Sequence, residues 1–129
     1  MVENSGLASK RGLILFGHGA RDPRWAEPFE RLLVRVRTIH PAGQTRLAFL
    51  ELVTPNLETV VAELAGLGCT EIRIAPIFVG QGGHVREQLP ALLLTMQSRY
   101  PDIVFTQIVA VGEDDAVLDA IAACCVRSW

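Results

Sequence analysis

Short apolar runs alternate along this chain with longer segments in which apolar residues recur at helical spacing. Short runs bounded by turn residues indicate buried strands, and a spacing of three or four residues indicates amphipathic helices. The predicted strands cover residues 12–16, 45–52, 71–78 and 103–109. The predicted helices cover residues 23–40, 57–67, 84–99 and about 112–125. This alternation predicts an α/β fold with a four-stranded parallel sheet flanked by helices on both faces.

Some helix boundaries have more than one reading. Pro90 lies inside the third helical segment, so either the main helix begins there or the helix is kinked. Asn56 or Thr54 can cap the start of the second helix, and Gly66 or Gly68 can end it.

Length and composition predict one globular domain. The chain has 129 residues, half of them hydrophobic and a fifth charged, which is enough to build a core. Residues 1–10 are polar and lack the apolar centre of a signal peptide, so we expect a flexible tail before a single domain at 11–129. No apolar run approaches the length that crosses a bilayer. A net charge of −2 gives no reason to expect nucleic acid as a partner.

Cysteine and arginine usage add two weaker indications. Cys69, Cys124 and Cys125 are odd in number and lack metal-ligand spacing, which argues against a disulfide framework and predicts a reduced, cytoplasmic protein. Eleven arginines stand against one lysine. This bias reflects either genome composition or arginine forks that bind carboxylates.

Glycine-rich turns follow the first and third predicted strands. Gly17-His-Gly19 begins like a dinucleotide-binding fingerprint, but Asp22 occupies the third glycine position, where a carboxylate would repel a pyrophosphate. The chain also lacks the GxxxxGK[ST] motif of a P-loop. The second turn, Gly80-Gln-Gly-Gly83, is either an anion-binding backbone nest or a plain strand-to-helix turn.

Two histidines follow these strands, and the fold predicts that they are neighbours. In a sheet of strand order 2-1-3-4, strands one and three lie about 5 Å apart, so His18 and His84 would share one carboxyl edge. Glu51 ends strand two on the other side of strand one. It is either a buried carboxylate, which must be paired, protonated or functional, or a partly exposed acid at the strand end. Two imidazoles and an acid suit a divalent transition metal. His40, at a helix end before Pro41, is predicted to be structural.

Three ordered motifs resemble the CbiX-type sirohydrochlorin chelatases, small class II chelatases that insert a divalent metal into a tetrapyrrole. The motifs are Gly17-His-Gly-Ala-Arg-Asp-Pro23, Phe49-Leu-Glu51 with Pro55-Asn-Leu57, and Ala75-Pro-Ile-Phe-Val-Gly-Gln-Gly-Gly-His-Val85. The resemblance runs from about residue 12 to residue 111. The first motif often has Ser where this chain has Ala20, so any hydroxyl contact there is absent.

The resemblance implies a flavodoxin-like chelatase fold that binds the macrocycle at the carboxyl edge of the sheet. It implies that His18 and His84 bind the metal and accept protons, and that Glu51 fills the acidic position of the family motif. The residues beside these motifs that we expect to contact the macrocycle and its carboxylates are Arg21, Arg24, Gly82, Gly83 and Arg86. The short form of the family implies a homodimer with the cleft between subunits.

The sequence leaves more than one alternative open for the metal and for the reaction. Co²⁺, Fe²⁺ and Ni²⁺ all fit two imidazoles and an acid as the metal substrate, and no organic cofactor is expected. A different reading of the same site is a protein that stores or delivers a metal or a tetrapyrrole without catalysis. A metal-assisted hydrolase is a third reading, for which the chain shows no Ser-His-Asp or HExxH pattern.

Overall fold

The fold alternates strands and helices along the chain, as the hydrophobic pattern predicts. The structure is a computed structural model that describes residues 10–80 and 82–129, without the side chains of residues 83 and 84. The strands are β1 (Arg11–Gly17), β2 (Gln44–Phe49), β3 (Glu71–Pro76) and β4 (Val104–Gln107). The helices are α1 (Glu27–Ile39), α2 (Leu57–Gly66), α3 (Gly83–Arg99) and α4 (Asp115–Cys125). Two short 3₁₀ turns, Pro23–Ala26 and Val111–Glu113, precede α1 and α4.

The four strands form a parallel sheet in the order β2-β1-β3-β4, which confirms the predicted order. The register pairs Phe16 of β1 with Ala48 of β2 and Pro76 of β3. The three central strands therefore end at nearly the same level, and the loops that follow them share one edge of the sheet.

One face of the sheet carries the hydrophobic core. Its alternate strand residues pack against the inner sides of α2 and α3, and most are fully buried. This core consists of Ile14, Phe16, Ala48, Leu57, Val60, Val61, Leu64, Cys69, Ile72, Ile74, Leu89, Met96 and Ile103. Asn56 caps α2 by accepting a hydrogen bond from the Thr59 amide at 2.9 Å, and Gly68 follows the helix with a φ of +87°. These are the cap and the stop that the sequence offered as alternatives.

The other face of the sheet is covered over only half its width. Helix α1 packs on β1 and β2, where Phe29 contacts Phe49 with ring centroids 5.7 Å apart. Over β3 and β4 the same face shows Arg73, Val104 and Thr106, all exposed. We call these three residues and their surroundings the open half-face.

The observed elements differ from the predicted ones mainly at their ends. β2 ends at Phe49 rather than residue 52, and β3 ends at Pro76 rather than residue 78, because the chain turns there into the loops of the carboxyl edge. The first helix begins as a 3₁₀ turn, and α3 runs through Pro90 without interruption. Ile39, predicted on the buried side of α1, is 83% exposed. Lys10, the last residue of the predicted tail, accepts hydrogen bonds from Thr70 and Glu71; the rest of that tail lies outside the described residues.

No helix in the described ranges is long and apolar enough to span a membrane.

Asp114 caps α4 by accepting hydrogen bonds from the Ala116 and Val117 amides. Every residue of α4 except Val117 is nevertheless exposed, so this helix adds almost nothing to the core.

The core assignment predicts a large stability cost at Leu64, which is fully buried on α2. We expect Leu64→Ala to lower the free energy of unfolding by about 2–5 kcal/mol, because the lost side chain leaves a cavity. The matched control is Leu67→Ala, three residues on and 52% exposed, which should change it by less than about 0.5 kcal/mol. Urea unfolding followed by circular dichroism measures both, and equal effects would contradict the assignment.

Candidate metal and macrocycle site

The loops that follow β1 and β2 at the carboxyl edge, here the first and second loops, bring His18 and Glu51 into contact. The Nε2 atom of His18 lies 3.0 Å from Oε1 of Glu51. The side chains are 41% and 46% exposed, so the pair is open to solvent and to a ligand. The expectation that Glu51 is a buried carboxylate at a strand end is wrong. It lies in the loop after β2, where its charge is partly hydrated and its partner is an imidazole.

The backbone around Gly19 explains how these two side chains meet. The Leu50 amide donates to the Gly17 carbonyl at 2.9 Å, and the Glu51 amide donates to the His18 carbonyl at 3.0 Å. The pairing between β1 and β2 therefore continues past the ends of both strands. Gly19 has a φ of +108°, and a Cβ on it would collide with the carbonyl oxygen of Glu51. Only glycine allows this close approach without displacing the loop.

The loop that carries Glu51 contains a second unusual backbone conformation. Leu52 has a φ of +68°, a left-handed conformation that is unfavourable for a residue with a branched side chain. The Val53 amide closes the turn by donating to the Glu51 carbonyl at 2.8 Å. The Leu52 side chain is 60% exposed at the carboxyl edge. Such strain is tolerated where the surrounding structure fixes the loop, and it is frequent at functional sites.

The first loop also holds Asp22 and Arg24, which the structure pairs with each other. Asp22 caps the 3₁₀ turn by accepting from the Arg24 amide at 2.9 Å, and its Oδ2 accepts from Nη2 of Arg24 at 2.9 Å. These hydrogen bonds hold the pKa of Asp22 below its ordinary value, and those from the Arg24 side chain have the larger effect. Arg24 thus already binds a carboxylate of its own chain. Arg21, the neighbouring candidate, is exposed beside this pair.

The third loop of the edge leads from β3 into α3. Gly82 is the residue that precedes the helix, and His84 belongs to its first turn. The Arg86 amide donates to the Gly82 carbonyl at 3.1 Å, and Arg86 is exposed. Gln81 and the side chain of His84 lie outside the described residues, so the contact of His84 with His18 stays a prediction. The anion-binding reading of the turn at 80–83 is untested for the same reason.

Helix α3 connects this third loop with Glu51. A groove of about 300 Å³ is lined by Leu50, Glu51, Gln88, Ala91, Leu92 and Thr95. Gln88 lies four residues after His84, which is one turn along the same helix. The loop after β2 and helix α3 therefore face each other across this groove.

The residue that supports the third loop was not predicted from the sequence. Gly112 lies in the 3₁₀ turn before α4, its amide donates to the Phe78 carbonyl at 2.8 Å, and a Cβ on it would collide with the backbone of Val79. Val79 itself is 69% exposed at the carboxyl edge. Gly112 lies more than thirty residues from Val79 in sequence, and no local pattern links the two.

The described side chains include two groups of the kinds that bind metal ions. Among the described side chains, no group of three or more His, Cys, Asp or Glu residues converges on one point. His18 and Glu51 contribute one imidazole nitrogen and one carboxylate. An imidazole next to a carboxylate can bind a transition metal, and it can also hold a proton as an imidazolium stabilised by the negative charge.

The fold and the site together define a class of protein: an α/β domain with a parallel sheet of order β2-β1-β3-β4 and with histidine and glutamate at the carboxyl edge. The CbiX family model matches residues 12–126, and the chain belongs to this family. This confirms the resemblance that the three motifs indicated.

Individual relatives carry chelatase names. The chain is 30% identical over 87 residues to a sirohydrochlorin cobaltochelatase of Methanosarcina acetivorans, a match that covers 67% of each protein. It is 24% identical over 112 residues to the sirohydrochlorin ferrochelatase of Bacillus subtilis, covering 87% of this chain and 43% of that enzyme. The matched segment thus spans about two thirds of the archaeal relative and less than half of the Bacillus one.

Solved structures share the fold. A CbiX protein of cobalamin biosynthesis from Marinobacter aquaeolei VT8 superposes with a TM-score of 0.80 at 26% identity, covering 89% of this chain and 91% of that one. The sirohydrochlorin chelatase SirB from Bacillus subtilis subspecies spizizenii, in complex with cobalt, superposes with a TM-score of 0.71 at 25% identity. That match covers 87% of this chain and 48% of SirB.

The role of Gly19 gives a prediction about stability and site geometry. We expect Gly19→Ala to lower the free energy of unfolding by about 1–3 kcal/mol, because the added methyl group requires the loop at Glu51 to move and the backbone to keep a positive φ. Gly66→Ala is the matched control, since a Cβ there meets nothing within 4 Å. Denaturant unfolding of both variants measures these free energies. An unchanged free energy of unfolding for Gly19→Ala would contradict the prediction.

Proposed function

We propose that this protein inserts a divalent metal ion, Co²⁺ or Fe²⁺, into sirohydrochlorin. The observation that carries the proposal is the contact between His18 and Glu51 at the carboxyl edge, formed by two of the three motifs that place the chain in the CbiX family. The names of the relatives, sirohydrochlorin cobaltochelatase and ferrochelatase, support this reaction. The enzyme is accordingly a metal-inserting lyase.

Insertion replaces two pyrrole N–H protons with one metal ion, so the site must bind the metal and accept protons. His18 and Glu51 suit the second task, because a proton taken by the imidazole is stabilised by the carboxylate 3.0 Å away. In the neutral tautomer that donates from Nε2 to Glu51, the lone pair is on Nδ1. We propose that His18, through Nδ1, and His84 bind the incoming metal. Once the metal has passed to the macrocycle, Nδ1 of His18 takes one of the two pyrrole protons, stabilised by Glu51, and water takes the other.

The rim of the site suits a flat macrocycle with charged substituents. Leu52 and Val79 expose apolar side chains at the carboxyl edge, on the loops after β2 and β3. An apolar surface of this kind can contact the face of a tetrapyrrole, while arginine forks bind its carboxylates. We propose Arg21 and Arg86 for those carboxylates, and Arg24 as a residue that must exchange Asp22 for substrate to take part. Gly82 and Gly83 would let the third loop approach the ring.

The proposal extends to the assembly and the surroundings of the enzyme. We propose a homodimer, supported by the exposed apolar residues of α1 and α4; Val34, Ile39, Leu118 and Ile121 are 64%, 83%, 42% and 39% exposed. Contiguous exposed apolar surface marks the interaction sites of proteins. We also propose a cytoplasmic location, supported by the odd cysteine count and by the exposure of Cys124 and Cys125.

Loss of the imidazole tests the reaction directly. We expect His18→Ala to lower the rate of metal insertion by at least about 10²-fold, since a proton acceptor and a metal ligand are lost together. His40→Ala is the matched control, because His40 ends α1 and its ring lies against Gly43. The change in sirohydrochlorin absorbance on adding Co²⁺ or Fe²⁺ measures the rate. Wild-type rates for both variants would contradict the proposal, and tetrapyrrole binding without insertion by the wild type would identify a delivery protein.

Glu51→Gln separates proton acceptance from metal binding. The amide keeps the size of the side chain but removes the charge that stabilises a protonated His18. We expect kcat to fall by about 10- to 10³-fold. Metal affinity, measured by titration calorimetry with Co²⁺, should change by less than tenfold. A large loss of affinity with a small change in kcat would instead make Glu51 a metal ligand.

A further inference from the structure

The turn that follows Glu51 has a backbone conformation that its central residue disfavours. The Val53 amide donates to the Glu51 carbonyl at 2.8 Å, and Leu52 between them has a φ of +68°. A hydrogen bond between residues two apart, closed about a positive φ, is the rare and strained form of the γ-turn. Glycine and asparagine adopt a positive φ readily, whereas a branched side chain such as that of leucine does not. Among the non-glycine residues that the structure describes, Ser128 is the one other with a positive φ.

Backbone contacts on both sides of this turn hold it in place. Before the turn, the Glu51 amide donates to the His18 carbonyl at 3.0 Å. Across the loop, the Phe49 amide donates to the Pro55 carbonyl at 2.9 Å. The Glu51 carbonyl, which accepts the hydrogen bond of the turn, fills the space that a Cβ on Gly19 would need. The turn therefore cannot relax without moving the residue whose side chain contacts His18.

Folding alone does not account for a leucine at this position. The Leu52 side chain is 60% exposed, so it adds little to the core, and its positive φ is unfavourable for a branched residue. Both effects oppose folding of the free chain. Strained backbone of this kind persists where the surrounding structure fixes it, and it is concentrated at sites that bind ligands. What the turn provides is an apolar side chain in solvent, one residue from the carboxylate that contacts His18.

We propose that Leu52 is the residue that determines affinity for the macrocycle, by packing against the flat face of the ring beside the His18–Glu51 pair. The inference rests on the proposed function, since it takes a tetrapyrrole as the ligand. The turn fixes the backbone of Leu52 before the ligand arrives, so binding orders little of the chain there. Burial of the exposed side chain under the ring is favourable. A metal ion gains nothing from an apolar contact, so Leu52 acts on the binding of the macrocycle and not on that of the metal.

Leu52→Asn tests the contact, because asparagine accepts a positive φ and has no large apolar surface. We expect Tm to rise by about 2–5 °C as the strain is relieved. The Kd for metal-free sirohydrochlorin, measured by absorbance titration, should rise about 5- to 30-fold. The Kd for Co²⁺, measured by titration calorimetry, should stay within twofold.

Two further variants serve as controls. Leu52→Met keeps an apolar side chain on the turn and should bind sirohydrochlorin within threefold of the wild type. Leu67→Asn makes the same chemical change at a leucine that is 52% exposed and has a φ of −82°. Because no strain is relieved there, Leu67→Asn should not raise Tm, and it should leave both affinities within twofold.

Three results would overturn the contact. One is an unchanged affinity of Leu52→Asn for sirohydrochlorin. Another is a Tm below that of the wild type, because leucine would then serve the fold. The third is a parallel loss of Co²⁺ affinity, because the substitution would then act through Glu51.

Metal insertion by the wild type, measured in parallel, separates this contact from the proposed reaction. A wild type that inserts the metal, with Leu52→Asn binding sirohydrochlorin equally tightly, refutes the contact alone. A wild type that binds sirohydrochlorin without inserting the metal, with the expected weaker binding by Leu52→Asn, refutes the reaction alone.

Discussion

The contact between the loops after β1 and β2 is the constraint on which the site depends. Gly19 accepts a backbone carbonyl where any side chain would collide, and this lets the Glu51 amide pair with the His18 carbonyl. The two side chains then meet at 3.0 Å without help from the core. The same contact also depends on the register of β1 against β2. A slip of one residue would turn the alternate side chains to the opposite face of the sheet.

Stability and chemistry are carried by different parts of the molecule. The core lies between one face of the sheet and helices α2 and α3, while His18 and Glu51 stand in loops with more than two fifths of each side chain exposed. Substitutions at this pair therefore remove no core packing, and their effects on the reaction can be read without large changes in folding. Glycines connect the two parts: Gly19 and Gly112 let loops approach each other where a methyl group would not fit.

The hydrophobic pattern was sufficient for the fold but not for the details of the site. Short apolar runs and amphipathic segments predicted the four strands and the four helices, because burial imposes those periods on any sequence. The strand order came from the doubly wound arrangement expected for such an alternation. The ends of β2 and β3 were placed too late, since apolar residues such as Leu52 and Phe78 continue into the loops. Glu51 was expected to be buried for the same reason. The support of Val79 by Gly112 depends on a contact between distant residues, which no local pattern records.

The half-covered sheet changes how the site should be understood. A single described chain presents its histidine and glutamate on an open edge, whereas a metal exchanged for pyrrole protons needs a macrocycle held in one orientation. A flat ligand is held in one orientation when protein surfaces contact both of its faces, and one edge of a sheet can contact only one face. Helix α4 begins next to that edge, whereas Val104 of the open half-face is the first residue of β4 and lies toward the opposite edge. A second surface for the macrocycle must therefore come from outside the two loops that carry His18 and Glu51.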